Sequence, residues 1–231
     1  MIKKQIIALG GGGFSMEQSP LLDDYILNQS VDNPKVCFLG TASGDNEAYI
    51  ARFYRRFSQA GCQPTHQELF RRDGRDLETF LLSQNIIYVG GGNTANMLAI
   101  WQLHRVDKIL RKAYEAGVVL CGLSAGSICW FEAGVTDSFG GDLAAYPCLG
   151  LLKGSHCPHY DGESERRPAY HRLIQNGAMV GGVAADDGAA LHYINGELHQ
   201  IVASRGGAGA YRVGVSGQEV IEVPLEVERL N

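Results

Sequence analysis

Val118-Val119-Leu120-Cys121-Gly122-Leu123-Ser124-Ala125-Gly126 is the stretch that decides the fold. A short apolar run with β-branched residues, stopped by glycine, reads as a buried strand. Residues 125–132 read as a helix. The serine therefore lies in a tight strand-to-helix turn. The small-x-Ser-x-small pattern is that of a nucleophile elbow, which lifts the serine above the sheet edge. Glycines on either side remove Cβ atoms that would meet neighbouring strands. The helix start offers free N–H groups and a positive dipole end. The N–H of Ala125 would point at an oxyanion. The plain alternative for the same residues is a packed turn that holds a phosphate.

Working outward, the first half of the chain repeats this alternation. Strands are expected over residues 5–9, 35–39 and 85–89, with a weaker one over 65–69. Helices are expected over residues 20–28, with Ser19 as N-cap, and over 47–60, ended by Gly61. Two more helices start at Thr94 and Val106. Continuously apolar strands separated by helices predict a mostly parallel sheet with helices on both faces, a three-layer α/β sandwich in one domain of 231 residues. Ligand sites in such sheets lie at the carboxyl ends of the strands. Glycine turns at residues 10–13, 90–92 and 122–126 occupy that edge. The second half reads differently. Residues 147–161 lack periodicity and read as a structured loop, and 164–176 as a helix. A strand over 179–184 precedes Asp186-Asp187-Gly188. C-terminal β-hairpins follow, one of them turning on Asn195-Gly196.

The chain carries 20 Lys+Arg against 25 Asp+Glu, a net charge of −5, without charged blocks. That argues against nucleic acid as a partner. No apolar run is long enough to predict a membrane span. With no signal-peptide pattern at the N-terminus, a cytoplasmic location is expected. The six cysteines show no CxxC pair and are expected to be reduced thiols.

A nucleophilic serine needs a base, and the base needs an orienting acid. His156 and His159 lie after the sheet edge, where a base is expected; each also reads as a structural loop histidine. His156, Cys157 and His159 form at most half of a metal site, with no second half. The acid candidates are Asp137, Asp142 and the pair Asp186-Asp187, for which an Asp-Gly turn is the plain alternative. Gly90-Gly91-Gly92-Asn93-Thr94 lacks the lysine of a P-loop; its other use is a second oxyanion donor beside the elbow. Cys121 and Cys129 near the elbow read as packing.

Together these pieces resemble the dipeptidase E (α-aspartyl dipeptidase) and cyanophycinase family of serine peptidases. The resemblance rests on Val89 to Thr94, Gly122 to Gly126, Thr136-Asp137 and Pro158-His159-Tyr160, and spans nearly the whole chain. It implies a glutamine-amidotransferase-like α/β sandwich and hydrolysis of short peptides beside aspartate, without a cofactor; the residues themselves predict no metal site. It implies Ser124 as nucleophile, His159 as base, and Ala125 with Gly91 or Gly92 as oxyanion donors. Asp187 matches the orienting acid, with Asp where dipeptidase E has Glu, and Asp137 is the second choice. Asn93, Arg166 and Arg167 are substrate-binding candidates, the arginines because a guanidinium fork suits a carboxylate. Two other readings stay open: a related hydrolase or acyl transferase acting on a non-peptide amide, and a non-catalytic protein holding a small anion. A homodimer is left open.

Overall fold

The computed structural model describes residues 2–231. The strands are β1 (Gln5–Leu9), β2 (Lys35–Leu39), β3 (Gln63–Gln67), β4 (Ile86–Val89), β5 (Val119–Leu123), β6 (Phe131–Thr136), β7 (Ala144–Pro147), β8 (Leu152–Cys157), β9 (Gly182–Ala185), β10 (Ala189–Ile194), β11 (Glu197–Ala203), β12 (Ala210–Ser216), β13 (Glu219–Pro224) and β14 (Glu228–Arg229). The α-helices are α1 (Leu21–Leu27), α2 (Glu47–Phe57), α3 (Leu77–Leu82), α4 (Thr94–His104), α5 (Val106–Glu115), α6 (Ala125–Ile128) and α7 (Arg166–Gln175).

Fully buried apolar strands form the centre of an eight-stranded sheet in the order β14-β11-β10-β1-β5-β4-β2-β3. Its five strands β1, β5, β4, β2 and β3 are parallel. The hairpin β10–β11 adds to β1 in antiparallel sense. Its turn residues Asn195 and Gly196 both have positive φ, as the Asn-Gly pair demands. One face of the sheet packs on α1 and α2 through Leu22, Ile26, Phe53 and Phe57. The other packs on α3, α4 and α5 through Leu81, Trp101, Ile109 and Leu110.

A second, six-stranded sheet runs β13-β12-β9-β8-β6-β7. Trp130, Phe131, Leu152 and Val183 join its inner side to the core around Leu191 and Tyr193. Its outer side carries α7 through Tyr170, Leu173 and Ile174. This sheet corrects two expectations. The helix after the elbow is α6, four residues long, because Phe131 already belongs to a strand. The expected loop over residues 147–161 contains β8, a central strand buried from Ser155 to Cys157. A strand covered on both faces shows no alternation, and the register shift between Phe131 and Ala133 breaks what pattern there is.

Smaller corrections concern helix ends. Ser19 does not cap α1; Pro20 holds the N-cap position without a side-chain bond. Helix α2 stops at Phe57, with Asn46 accepting from the Tyr49 N–H as its cap. Helix α3, capped by Asp76, has no counterpart in the sequence reading.

Candidate active site

Strand β5 is buried throughout, and Ser124 directly after it is half-buried among buried neighbours. Its backbone sits at φ 55°, ψ −119°. For a residue with a Cβ this conformation costs about 1–3 kcal/mol and persists only where the surroundings enforce it. The enforcement comes from close packing against β4. A Cβ on Gly126 would lie 2.2 Å from the Val89 carbonyl oxygen, and one on Gly122 2.6 Å from the same atom. Only glycine permits the elbow to press on β4 this way. No protein group bonds the Ser124 hydroxyl among the described residues; such bonds often tighten only when substrate is bound.

Leu9 of β1 and Leu123 of β5 are register partners, so Gly10 and Ser124 leave the sheet side by side. The His159 N–H donates to the Gly10 carbonyl at 3.0 Å. His159 is thus tied to the strand end next to the serine, and its own φ of 54° is left-handed. Its Nδ1 lies 2.6 Å from Asp187 Oδ1. A carboxylate partner makes Nδ1 the protonated nitrogen and leaves Nε2 as the free base. The Asp187 carboxylate lies between two glycines. A Cβ on Gly11 would be 2.0 Å from Oδ1, and one on Gly162 2.1 Å from Oδ2. The run of four glycines after β1 therefore shapes the bed of the histidine and the acid. The sequence left its purpose open between packing and ligand approach.

The neighbouring acid points elsewhere. Asp186 Oδ2 accepts from the Gly209 N–H at 2.8 Å, and burial raises its carboxyl above the ordinary carboxylate range. Asp137 is exposed just beyond β6 and does not reach His159 Nδ1, which Asp187 holds. Its neighbour Ser138 accepts from the Ala95 N–H and from Asn93 Nδ2 at the start of α4. Asn93 Oδ1 in turn caps α4 through the Asn96 N–H. Both ends of the Asn93 amide are thus engaged within the protein.

The 90–92 turn lies against the elbow, where a Cβ on Gly91 would be 3.2 Å from Ser124 Cβ. The Gly91 N–H donates to the Tyr49 hydroxyl at 3.2 Å. The N–H groups of Gly92 and Ala125 have no acceptor among the described residues. The two arginines part company. Arg166 is 4% exposed, with Nε on Glu163 at 2.6 Å and Nη1 on the Val135 carbonyl at 3.0 Å. Arg167 stacks its guanidinium on Tyr160 and Tyr211, at 4.6 and 4.7 Å from the ring centroids. It borders a groove of about 680 Å³ with Asp161, His171 and Asp186.

His156 and Cys157 face opposite sides of β8. His156 stacks on Phe131, bonds the Val183 carbonyl at 2.8 Å and is pushed by burial down to about 4. Cys157 belongs to the core under α7. With His159 turned to Asp187, the three do not converge on a metal. All six cysteines are free, and burial pushes the thiols of Cys121 and Cys129 well above their ordinary range, so neither supplies a ready thiolate. No helix is long and apolar enough to cross a membrane among the described residues.

A strained serine at a strand–helix turn, one strand away from a carboxylate-bound histidine, is the geometry of an α/β serine hydrolase. The comparisons with known proteins make the class specific. The chain belongs to peptidase family S51, whose model matches residues 6–201, and it is a serine-type peptidase. It is 57% identical over 229 residues to the uncharacterized peptidase YgaJ of Bacillus subtilis strain 168, covering 98% of this chain and 99% of that protein. Its fold is that of a peptidase from an acI-B1 actinobacterium, at a TM-score of 0.69 and 14% identity, with 96% of this chain and 97% of that one covered. A Listeria monocytogenes EGD-e structure named for peptidase E matches at a TM-score of 0.61 and 17% identity, with coverage of 97% and 100%.

Proposed function

We propose that the chain hydrolyses short peptides through a Ser124–His159–Asp187 triad. Ser124 attacks the scissile carbonyl while His159 Nε2 takes its proton. The same nitrogen then returns the proton to the leaving amine, and water resolves the acyl-serine by the reverse sequence. Asp187 fixes the imidazole tautomer and stabilises the imidazolium. The N–H groups of Ala125 and Gly92 receive the oxyanion. Gly91, engaged by Tyr49, sets the shape of that turn, and Asn93 holds the turn against the loop of Asp137 and Ser138. The observation that carries this reading is the 2.6 Å contact between His159 and Asp187, held in a glycine slot beside the elbow.

The preferred substrate is a peptide with aspartate at its N-terminus or next to the cleaved bond. Arg167 is the arginine that answers its carboxylate. Arg166 is buried between Glu163 and the Val135 carbonyl, whereas the Arg167 side chain is 43% exposed and its contact to Glu222 is a long 3.5 Å, which the substrate carboxylate must share or displace. The test is Ser124→Ala assayed on a panel of dipeptides with varied first residues. The expected loss in kcat is about 10³-fold or more, with the fold intact. Near wild-type turnover by that variant would end the serine reading. Equal rates on acidic and neutral dipeptides by the native protein would end the aspartate preference alone.

A further inference from the structure

The acid of the triad is pinned through its main chain as well as its side chain. The Asp187 N–H donates to Asp161 Oδ1 at 2.9 Å, and Arg205 Nε donates to the Asp187 carbonyl at 2.8 Å. Arg205 Nη2 then pairs with Asp161 Oδ2, closing a ring around one peptide unit on each side of the acid. The next residue is held too: the Gly188 N–H donates to the Gly11 carbonyl at 3.1 Å, and the Ser204 N–H to the Gly188 carbonyl at 2.8 Å. Strand β9 ends at Ala185, so Asp187 lies outside the regular ladder that would otherwise fix it. Arg205 follows β11, and Asp161 lies two residues after His159.

We propose that Arg205 and Asp161 are positioning residues that hold the Asp187 backbone so that its carboxylate meets His159. This rests on the reading of Asp187 as the orienting acid. Stability is a poor account of the pair. Its side chains are 43% and 36% exposed, and exposed ion pairs contribute little to folding. A guanidinium is needed because only a fork can donate Nε–H to a carbonyl and Nη–H to a carboxylate at once. Lysine has three donors but all on one nitrogen, which cannot occupy the Nε and Nη2 positions together, so it does not reproduce both bonds at this geometry.

The experiment compares Arg205→Met, Arg205→Lys, Asp161→Asn and the Met/Asn double variant with the native enzyme. Asp187→Asn is the control, and thermal unfolding checks the fold. The expected loss is about 10–10²-fold in kcat for each single variant, with KM little changed, since displacements near 1 Å cost about that much. The double variant should lose no more than the worse single one, because the ring fails as a unit. Arg205→Lys should recover only part of the rate. The pH profile separates positioning from charge. The charged groups tied to His159 are Asp187 on its ring, Asp161 and Arg205 on the Asp187 backbone, and Glu163, whose N–H donates to the His159 carbonyl; His156 is held neutral by burial. If Arg205 and Asp161 acted only through their charges, removing the cation would raise the acid limb of kcat/KM and removing the anion would lower it. Positioning predicts that both lower it, because both weaken the hold on the imidazolium. Full rescue by Arg205→Lys, or opposite shifts of the acid limb, would overturn the proposal. Wild-type rates in these variants beside a disabled Asp187→Asn would also overturn it and leave the triad standing. A silent Asp187→Asn would remove the triad reading and the clamp with it.

Discussion

Gly11→Ala tests the site by adding one methyl group. Gly11 is buried after β1 and does not adopt a left-handed φ, so its backbone accepts alanine without conformational penalty. Its new Cβ would lie 2.0 Å from Asp187 Oδ1, 2.8 Å from His159 Nδ1 and 2.9 Å from His159 Cε1. Ordinary contact begins near 3.4 Å, so the carboxylate must retreat by more than about 1 Å. The 2.6 Å bond between His159 and Asp187 does not survive that retreat. A misplacement of this size costs about 10²-fold, and loss of an orienting acid about 10⁴-fold, so kcat/KM should fall between those limits. Overpacking costs about 1–3 kcal/mol of stability, within the reserve of a chain this long. Gly162→Ala presses on Asp187 Oδ2 from the other side, at 2.1 Å, but from an exposed loop that can yield, and should lose less. Gly214→Ala in β12 meets nothing within 4 Å and should leave the rate unchanged. The assay is kcat/KM on Asp-X dipeptides beside a thermal melt for each variant. A folded Gly11→Ala enzyme with native kcat/KM would refute the slot, and with it the placement of the acid.

Other outcomes follow from the same geometry. Asp187→Asn should lower kcat by several orders of magnitude at neutral pH and change the pH profile, whereas Asp137→Asn, exposed and away from Nδ1, should act weakly and leave the profile in place; steady-state kinetics across pH reads both. Arg167→Met should raise KM for Asp-X substrates far more than for neutral ones, a loss of about 2–5 kcal/mol if the charge pair is desolvated; equal effects would return Arg167 to a packing role over its two tyrosines. Asp23 is buried with Oδ1 unpartnered, and burial raises its carboxyl from 3.8 to about 7 despite Arg56. The folded chain therefore keeps a proton that the unfolded chain gives up, so stability from this group is full below about pH 4 and lost as pH rises to 7. The loss is about 4 kcal/mol at most. Asp23→Asn should remove that decline, and urea unfolding at pH 5 and pH 8 for both proteins measures it; parallel declines would refute it.

The parts of this protein that are legible in the sequence are those governed by neighbours along the chain. Val119 to Gly126 shows its strand, its turn and its serine because burial, glycine placement and helix start are all local choices. Asn195-Gly196 shows its hairpin for the same reason. His159 and Asp187 stand among several base and acid candidates in the sequence, and only the resemblance pairs them, since Pro158-His159-Tyr160 and Asp187-Gly188 carry no local mark that one must meet the other. The second sheet is legible in part: β9, β12 and β13 were expected as strands, but β6, β7 and β8 stayed hidden because β8 is covered on both faces and β6 is bent by a register shift, which erases the alternation a reader relies on. Arg166 and Arg167 look alike in sequence, yet one is buried against a carbonyl and the other lies across two rings. Gly11, the adjacent pair Asp161-Gly162, and Arg205 come from three separate loops. Their closeness to one carboxylate is a property of how the two sheets pack, and no spacing along the chain encodes it.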